Sequence, residues 1–321
     1  MNKFLVVGLV YLLLGCGFQK RNSENSIKNS GDKLSKNDMK STLEYLASDE
    51  LEGRKTGTQG IEKAAVYIEN VFKKNKIKPY FETYRDSFNL DSIVGYNIVG
   101  YLEGNDPKLK KEFIILGAHY DHIGTAKAVN VDTIANGAND DASGTVAVLE
   151  WAKHFSKTKN NKRGILFTLY SAEEMGLKGS EHLANRMKAT NTNLYAMVNF
   201  EMIGVPLKDR DYSAFLTGYD VSNMANVLNG YVGEKILGKS DIAMKYELFK
   251  RSDNYPFYEL FKVPCQTISS CDLSNFDYYH HVDDEADKID YKHMANFLNQ
   301  IIPALEGMIN APTKEIKLNN E

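Results

Sequence analysis

Three short, largely apolar runs, 113–118, 164–170 and 195–200, alternate along the chain with stretches whose apolar residues recur at helical spacing. Runs of this length suit strands buried on both faces, and such strands need helices above and below them. The helical stretches supply that cover. In 60–75, Ile61, Ala64, Ala65, Ile68, Val71 and Phe72 repeat behind Gly57 and Gly60, and in 143–155 Val146, Leu149 and Ala152 do the same. A helix over about 179–188, a fourth strand over 264–270 and a closing helix over 291–308 continue the pattern. The alternation predicts an α/β fold, a three-layer sandwich around a mainly parallel, mixed central sheet. Within 39–310 there is no internal repeat and no linker long enough to divide it.

The N-terminus reads differently. Residues 1–16, MNKFLVVGLVYLLLGC, carry one lysine and then an apolar run, 4–14, that is shorter than the roughly 20 residues a transmembrane helix needs. Residues 1–15 are read as a signal peptide, and Leu13-Leu14-Gly15-Cys16 resembles a bacterial lipoprotein cleavage box. Cleavage there leaves Cys16 as a lipid anchor. With no acidic residue after it, the expected location is the bacterial cell envelope, as an outer-membrane lipoprotein facing periplasm or exterior. Residues 16–38, rich in Lys, Ser and Asn, are read as a tether, 39–311 as a single folded domain and 312–321 as a polar tail. Thirty-nine Lys and Arg against 42 Asp and Glu give a formal charge of -3, without the cationic excess that a nucleic-acid partner requires. Cys265 and Cys271 are open to a disulfide or to two buried thiols, since a bridge needs Cα atoms within about 7 Å.

In parallel sheets ligands gather beyond the carboxyl ends of the strands. Here each of those ends carries acids or imidazoles. His119-Tyr120-Asp121 follows the first run, Ser171-Ala172-Glu173-Glu174 the second and Glu201 the third. An irregular stretch, 125–136, leads into Gly137-Ala138-Asn139-Asp140-Asp141-Ala142-Ser143-Gly144 at a helix start, and Tyr278-Tyr279-His280-His281 lies near the C-terminus. Mixed carboxylate and imidazole donors suit a borderline cation such as zinc. Two histidines and three carboxylates from five loops can hold two ions, one carboxylate bridging, and a further carboxylate beside a ligand can take the proton of a bound water. Glu173, next to Glu174, has that position. His122, His154, His182 and His293 lack the strand-end placement and are read as structural or exposed.

With these residues the chain resembles the zinc-dependent aminopeptidases and their relatives, which include glutamate carboxypeptidase, glutaminyl cyclase and transferrin receptor. The resemblance runs over nearly all of 43–310. Besides the clusters above it rests on Leu46-Ala-Ser-Asp-Glu-Leu-Glu-Gly53-Arg54 with Gly57-Thr-Gln-Gly60, on Asn199-Phe200-Glu201-Met202-Ile203-Gly204, on Arg251-Ser252-Asp253, and on Asp284 and Asp287-Lys288-Ile289-Asp290. It implies a zinc-exopeptidase, phosphorylase/hydrolase-like sandwich with two zinc ions per chain. His119 and Glu201 would bind one ion, Glu174 and His280 the other, and Asp140 would bridge them. Glu173 would be the general base, and Asp121 would accept the other ring proton of His119 to fix its tautomer. Tyr279 is a candidate oxyanion donor or a packed aromatic. The distance back from Asp284 and Asp287 favours His280 over His281.

Three positions depart from the family pattern: Glu201 and Asn139 stand where Asp is common, and Asn254 where His often follows Arg251-Ser252-Asp253. The implied activity is a co-catalytic zinc exopeptidase acting on peptides, an aminopeptidase. The alternatives are a single-zinc acyltransferase like glutaminyl cyclase, a carboxypeptidase for acidic dipeptides, or a non-catalytic binding lipoprotein. The carboxypeptidase needs cations over its pocket, for which only Arg54 and Arg251 are obvious. Several relatives carry an inserted protease-associated domain, for which the 33 residues from Tyr80 to Phe113 leave no room. The motif-free stretch 206–250 is expected to supply a lid and much of the side-chain pocket.

Overall fold

The computed structural model describes residues 33–319. The signal peptide, Cys16 and most of the tether lie outside the described residues, as do the last two positions. The first helix, α1 (Lys36–Leu46), begins where the Ser35 side chain accepts the backbone N–H of Asp38. The helix α2 (Gln59–Lys74) leads to a small β1 (Lys78–Pro79) and to a hairpin of β2 (Arg85–Leu90) and β3 (Ile93–Leu102). After β4 (Phe113–His119) come β5 (Gly124–Val129) and β6 (Asp132–Ala135), then α3 (Ser143–Thr158), β7 (Gly164–Tyr170), α4 (Lys178–Ala189) and β8 (Leu194–Phe200). The remaining elements are β9 (Ala214–Leu216), α5 (Met224–Val232), β10 (Leu237–Gly238), α6 (Asp241–Lys245), α7 (Asn254–Phe261), β11 (Cys265–Ser269) and α8 (Tyr291–Asn310).

The main sheet has nine strands in the order β1-β3-β7-β4-β8-β11-β9-β10, with β2 also on β3. Its centre, β7-β4-β8-β11, is parallel, and β3 and β9 flank it antiparallel. Because side chains alternate across a strand, β4 sends Ile114, Leu116 and Ala118 to one face and Ile115 to the other. The first face packs on α2, α3 and α8, with Ile68, Phe72, Trp151 and Leu298 in one cluster; the second packs on Leu183 and Met187 of α4 and Phe257 of α7. These are the three layers expected. The four expected strands and the helices around them stand where the periodicity puts them.

Two regions differ from the sequence reading. The hairpin β2–β3 was not anticipated, because Gly95 and Gly100 interrupt its pattern; a Cβ at Gly95 would meet the Phe88 ring at 2.7 Å. The stretch taken as irregular contains the two-stranded sheet β5–β6. Cys265 and Cys271 are both buried and free. Near the C-terminus, Ile316 is buried and its N–H donates to the Tyr195 hydroxyl at 2.9 Å, while Leu318 bridges Ser222. No helix among the described residues is long and apolar enough to cross a membrane.

Candidate metal centre

Parallel pairing aligns His119, the last residue of β4, with Tyr170 of β7, so Ser171 to Glu174 emerge beside it, and Glu201 leaves β8 on the other side. The loop before α3 brings Asp140 between them. Its Oδ1 lies 3.2 Å from His119 Nε2, and its Oδ2 lies 3.3 Å from His280 Nε2. His280 Nε2 is also 3.0 Å from Glu174 Oε2. His281 is turned elsewhere, with Nδ1 accepting the backbone N–H of Asp283 at 3.1 Å. The Glu201 carboxylate is held by the Ser252 hydroxyl and lies in the field of His119.

The loops that carry these groups are tied by buried polar contacts. Asn139 Oδ1 accepts the N–H of Gly204 at 2.9 Å, Asp141 Oδ1 that of Met202 at 2.9 Å, and Ser143 Oγ that of Ile203 at 2.9 Å. The departure at Asn139 is thereby explained, since the contact needs one acceptor oxygen and an amide supplies it. Asn254 likewise serves the scaffold, donating to the carbonyls of Phe249 and Cys265 and accepting from Thr267. The Arg54 guanidinium, fully buried, donates to the carbonyls of Leu46, Tyr120, Asn136 and Gly137 at 2.5–2.9 Å. It therefore braces the loops bearing His119 and Asp140 and is no substrate-facing cation. Arg251, by contrast, is exposed at the cavity beside Glu201.

Asp121 takes a different place from the one expected. His119 Nδ1 meets the backbone carbonyl of Asp121 at 3.2 Å, whereas the Asp121 carboxylate is 3.7 Å away. That carboxylate instead accepts from the Glu173 backbone N–H at 3.2 Å and the Thr56 hydroxyl at 3.3 Å. It fixes the main chain of Glu173 more directly than the ring of His119. Thr56, which also holds Ser171 and the N–H of Ala172, carried no sequence signal of its own.

His122 lies closer to the cluster than its lack of a strand-end position suggested. Read as structural or exposed, its side chain is wholly buried, with Nδ1 2.9 Å from Glu174 Oε1 and 3.8 Å from Asp140 Oδ2. The other three histidines set aside do lie away from the cluster: His154 meets Glu306, His182 stacks on Phe88 and His293 meets Ser270. Tyr279 stacks on His280 with ring centroids 3.9 Å apart and reaches the cavity beside Glu201. That cavity is also lined by Phe215, Thr217 and Leu248 of the expected pocket-forming stretch.

Burial pushes the Glu173 carboxyl above its ordinary range, and raises that of Glu201 to about 7. Burial acts the same way on Asp140, but His119 and His280 outweigh it and hold that carboxyl low. Asp140 Oδ2, Glu174 Oε1, His280 Nε2 and both ring nitrogens of His122 are buried without a hydrogen-bond partner. Buried polar atoms are costly unless something satisfies them. A donor set of converging carboxylate oxygens and imidazole nitrogens fits a zinc ion.

A model of Peptidase family M28 matches residues 97–305. A probable zinc metalloprotease of Pyrenophora tritici-repentis (strain Pt-1C-BFP) is 39% identical over 108 residues, 33% of this chain and 24% of that protein. This chain thus spans about a quarter of that relative's length. Among solved structures, the aminopeptidase from Aneurinibacillus sp. strain AM-1 superposes with a TM-score of 0.64 at 17% identity, covering 86% of this chain and 94% of its own. The glutaminyl cyclase of Fimbriiglobus ruber gives 0.66 at 20% identity, covering 86% and 95%.

Proposed function

Because the chain belongs to peptidase family M28, we propose that it is a zinc exopeptidase releasing N-terminal residues from peptides, with two zinc ions per chain. The observation that carries this reading is the shared carboxylate of Asp140, whose two oxygens face His119 on one side and His280 on the other. His119 and Glu201 would hold one ion, and Glu174 and His280 the other. Zinc at these donors supplies a Lewis acid for the scissile carbonyl and a water acidified toward neutral pH.

The protein's own part follows from placement. Glu173 takes the water's proton and delivers it to the leaving amine, and burial makes its carboxylate a stronger base than a solvated one. Asp121 steadies that base through its backbone N–H. Ser252 orients Glu201, whose longer side chain replaces the more common Asp. The cavity lined by Phe215, Leu248 and Leu273 receives an apolar side chain of the residue being released. Tyr279, at its edge, donates to the oxyanion.

A second reading has support in the similarity of the fold to a glutaminyl cyclase. One assay separates the two. Residues 17–321 are expressed, bound zinc is counted, and the chain and Glu173→Gln are tested on aminoacyl anilides and on a peptide with N-terminal glutamine. Two ions per chain, and anilide hydrolysis lost in the variant with zinc retained, support the aminopeptidase. One ion with cyclisation of the glutamine overturns it. We also propose that Cys16 anchors the chain to the outer membrane; radiolabelled fatty acid that fails to enter the full-length protein in bacteria would refute this.

A further inference from the structure

We propose that His122 is a further ligand of the zinc ion assigned to Asp140, Glu174 and His280, so that this half of the centre has four donors, two of them imidazoles, and fills first. The inference rests on the zinc reading above and adds to it a residue outside the five-ligand set. Its basis is convergence. His122 Nδ1 lies 2.9 Å from Glu174 Oε1 and 3.8 Å from Asp140 Oδ2, and His280 Nε2 lies 3.0 Å and 3.3 Å from the other Glu174 oxygen and the same Asp140 oxygen. The two rings stand edge to face, 5.7 Å between centroids, on either side of these oxygens.

Asp140 Oδ2, Glu174 Oε1, His280 Nε2 and both ring nitrogens of His122 lie buried without a well-aligned hydrogen bond, although His122 and Glu174 are within hydrogen-bond distance. A histidine kept for packing would direct a ring N–H along the line to an acceptor. Donors that face a common point without bonding to each other have the arrangement of ligands around a cation. The chain also makes room for this ring. Gly137, at φ +59, lies so close that a Cβ there would be 2.5 Å from His122 Cγ, and the backbone N–H of His122 is held by the carbonyl of Arg54. Any side chain at 137 would expel the imidazole.

The two halves then differ. His119, Glu201 and the shared Asp140 offer one imidazole, whereas the other half offers two, and nitrogen donors favour zinc over the hard cations. Loss of a group that merely supports a ligand costs about 10–100-fold in metal affinity, so removing His122 itself should cost at least that at the first-filled site.

The test is zinc titration of residues 17–321 against a chromophoric chelator, with X-ray absorption at the zinc edge on samples loaded with one equivalent. His122→Ala, His122→Leu and His119→Ala are compared with the wild type, each checked for folding by circular dichroism. The expected result is two imidazoles around the first zinc in the wild type and in His119→Ala. The His122 variants should show one, with first-site affinity about 100-fold weaker. One imidazole around the first zinc of the wild type overturns the proposal even if both His122 variants fail to fold. Unchanged affinity and imidazole number in a folded His122 variant overturn it as well, and leave the aminopeptidase reading intact. A wild type that takes up no zinc overturns both.

Discussion

The carboxylate of Asp284 grips the main chain at Asp140, one oxygen accepting the N–H of Asp140 at 3.0 Å and the other that of Asn139 at 2.8 Å. Asp284 lies four residues after His280, so one side chain joins the loop of the shared carboxylate to the loop of a second candidate ligand. Replacing it with Ala should weaken zinc binding by about 10–100-fold, as loss of a ligand's support does elsewhere. Asp284→Asn, which keeps one acceptor oxygen, should lose less. Competition with a chelator reads both, and equal affinities for wild type and Asp284→Ala would contradict the bracing role.

Glu173→Gln should lower kcat for anilide hydrolysis by about 10²–10⁴-fold, the usual range for a general acid–base residue. KM and bound zinc should stay near the wild-type values, because the amide preserves shape and Glu173 is outside the ligand set. A variant that loses its zinc would instead make Glu173 a ligand.

Arg54→Ala would leave four buried carbonyls without their donor. Each such group costs about 1–3 kcal/mol, and partial relaxation should leave a net loss of roughly 3 kcal/mol or more in urea unfolding. Arg54→Lys should rescue little of it, since an ammonium cannot reproduce the planar fork. Near-wild-type stability of the Ala variant would show that the carbonyls find other donors.

Removing the metal should make stability fall as pH rises. Burial raises Glu201 and Asp253 to about 7 and Asp284 to about 8, above their ordinary values. The folded chain therefore keeps protons that the unfolded chain has released, and the stability they contribute is complete below roughly pH 4 and lost as pH approaches 8. The Tm of chelated protein should drop by several degrees across that window, and its distance below the zinc-loaded Tm should widen. A gap that narrows with rising pH would refute the assignment of those buried carboxyls.

Much of this was legible because it was written in repeating patterns. The continuous apolar run 113–118 announces a strand buried on both faces, and the acids and imidazoles at the ends of such strands announce a site. The position of His122 was not legible, because nothing in its immediate sequence distinguishes it from any other packed histidine; it depends on Gly137 leaving space and on the turn that brings Asp140 and Glu174 against it. Asp121 was assigned to the right neighbourhood and the wrong partner, since sequence spacing does not tell a carboxylate from the backbone carbonyl of the same residue. Thr56 and Ser252 act through hydrogen bonds to residues far away in sequence, and no local pattern encodes those.

The contacts from Asn139, Asp141 and Ser143 to Gly204, Met202 and Ile203 join two segments about sixty residues apart in sequence into one mechanical unit. In each pair a side chain on the earlier segment receives a main-chain N–H of the later one. The dependence is therefore asymmetric: 139, 141 and 143 must remain acceptors, while the 202–204 segment contributes main-chain N–H groups and has to keep Gly204 small, since a Cβ there would stand 2.9 Å from Asn139 Oδ1. Grafting a different 205–250 stretch onto this scaffold would alter which residue is accepted and leave the metal-binding frame in register, a division of labour that lets specificity drift while the chemistry stays put.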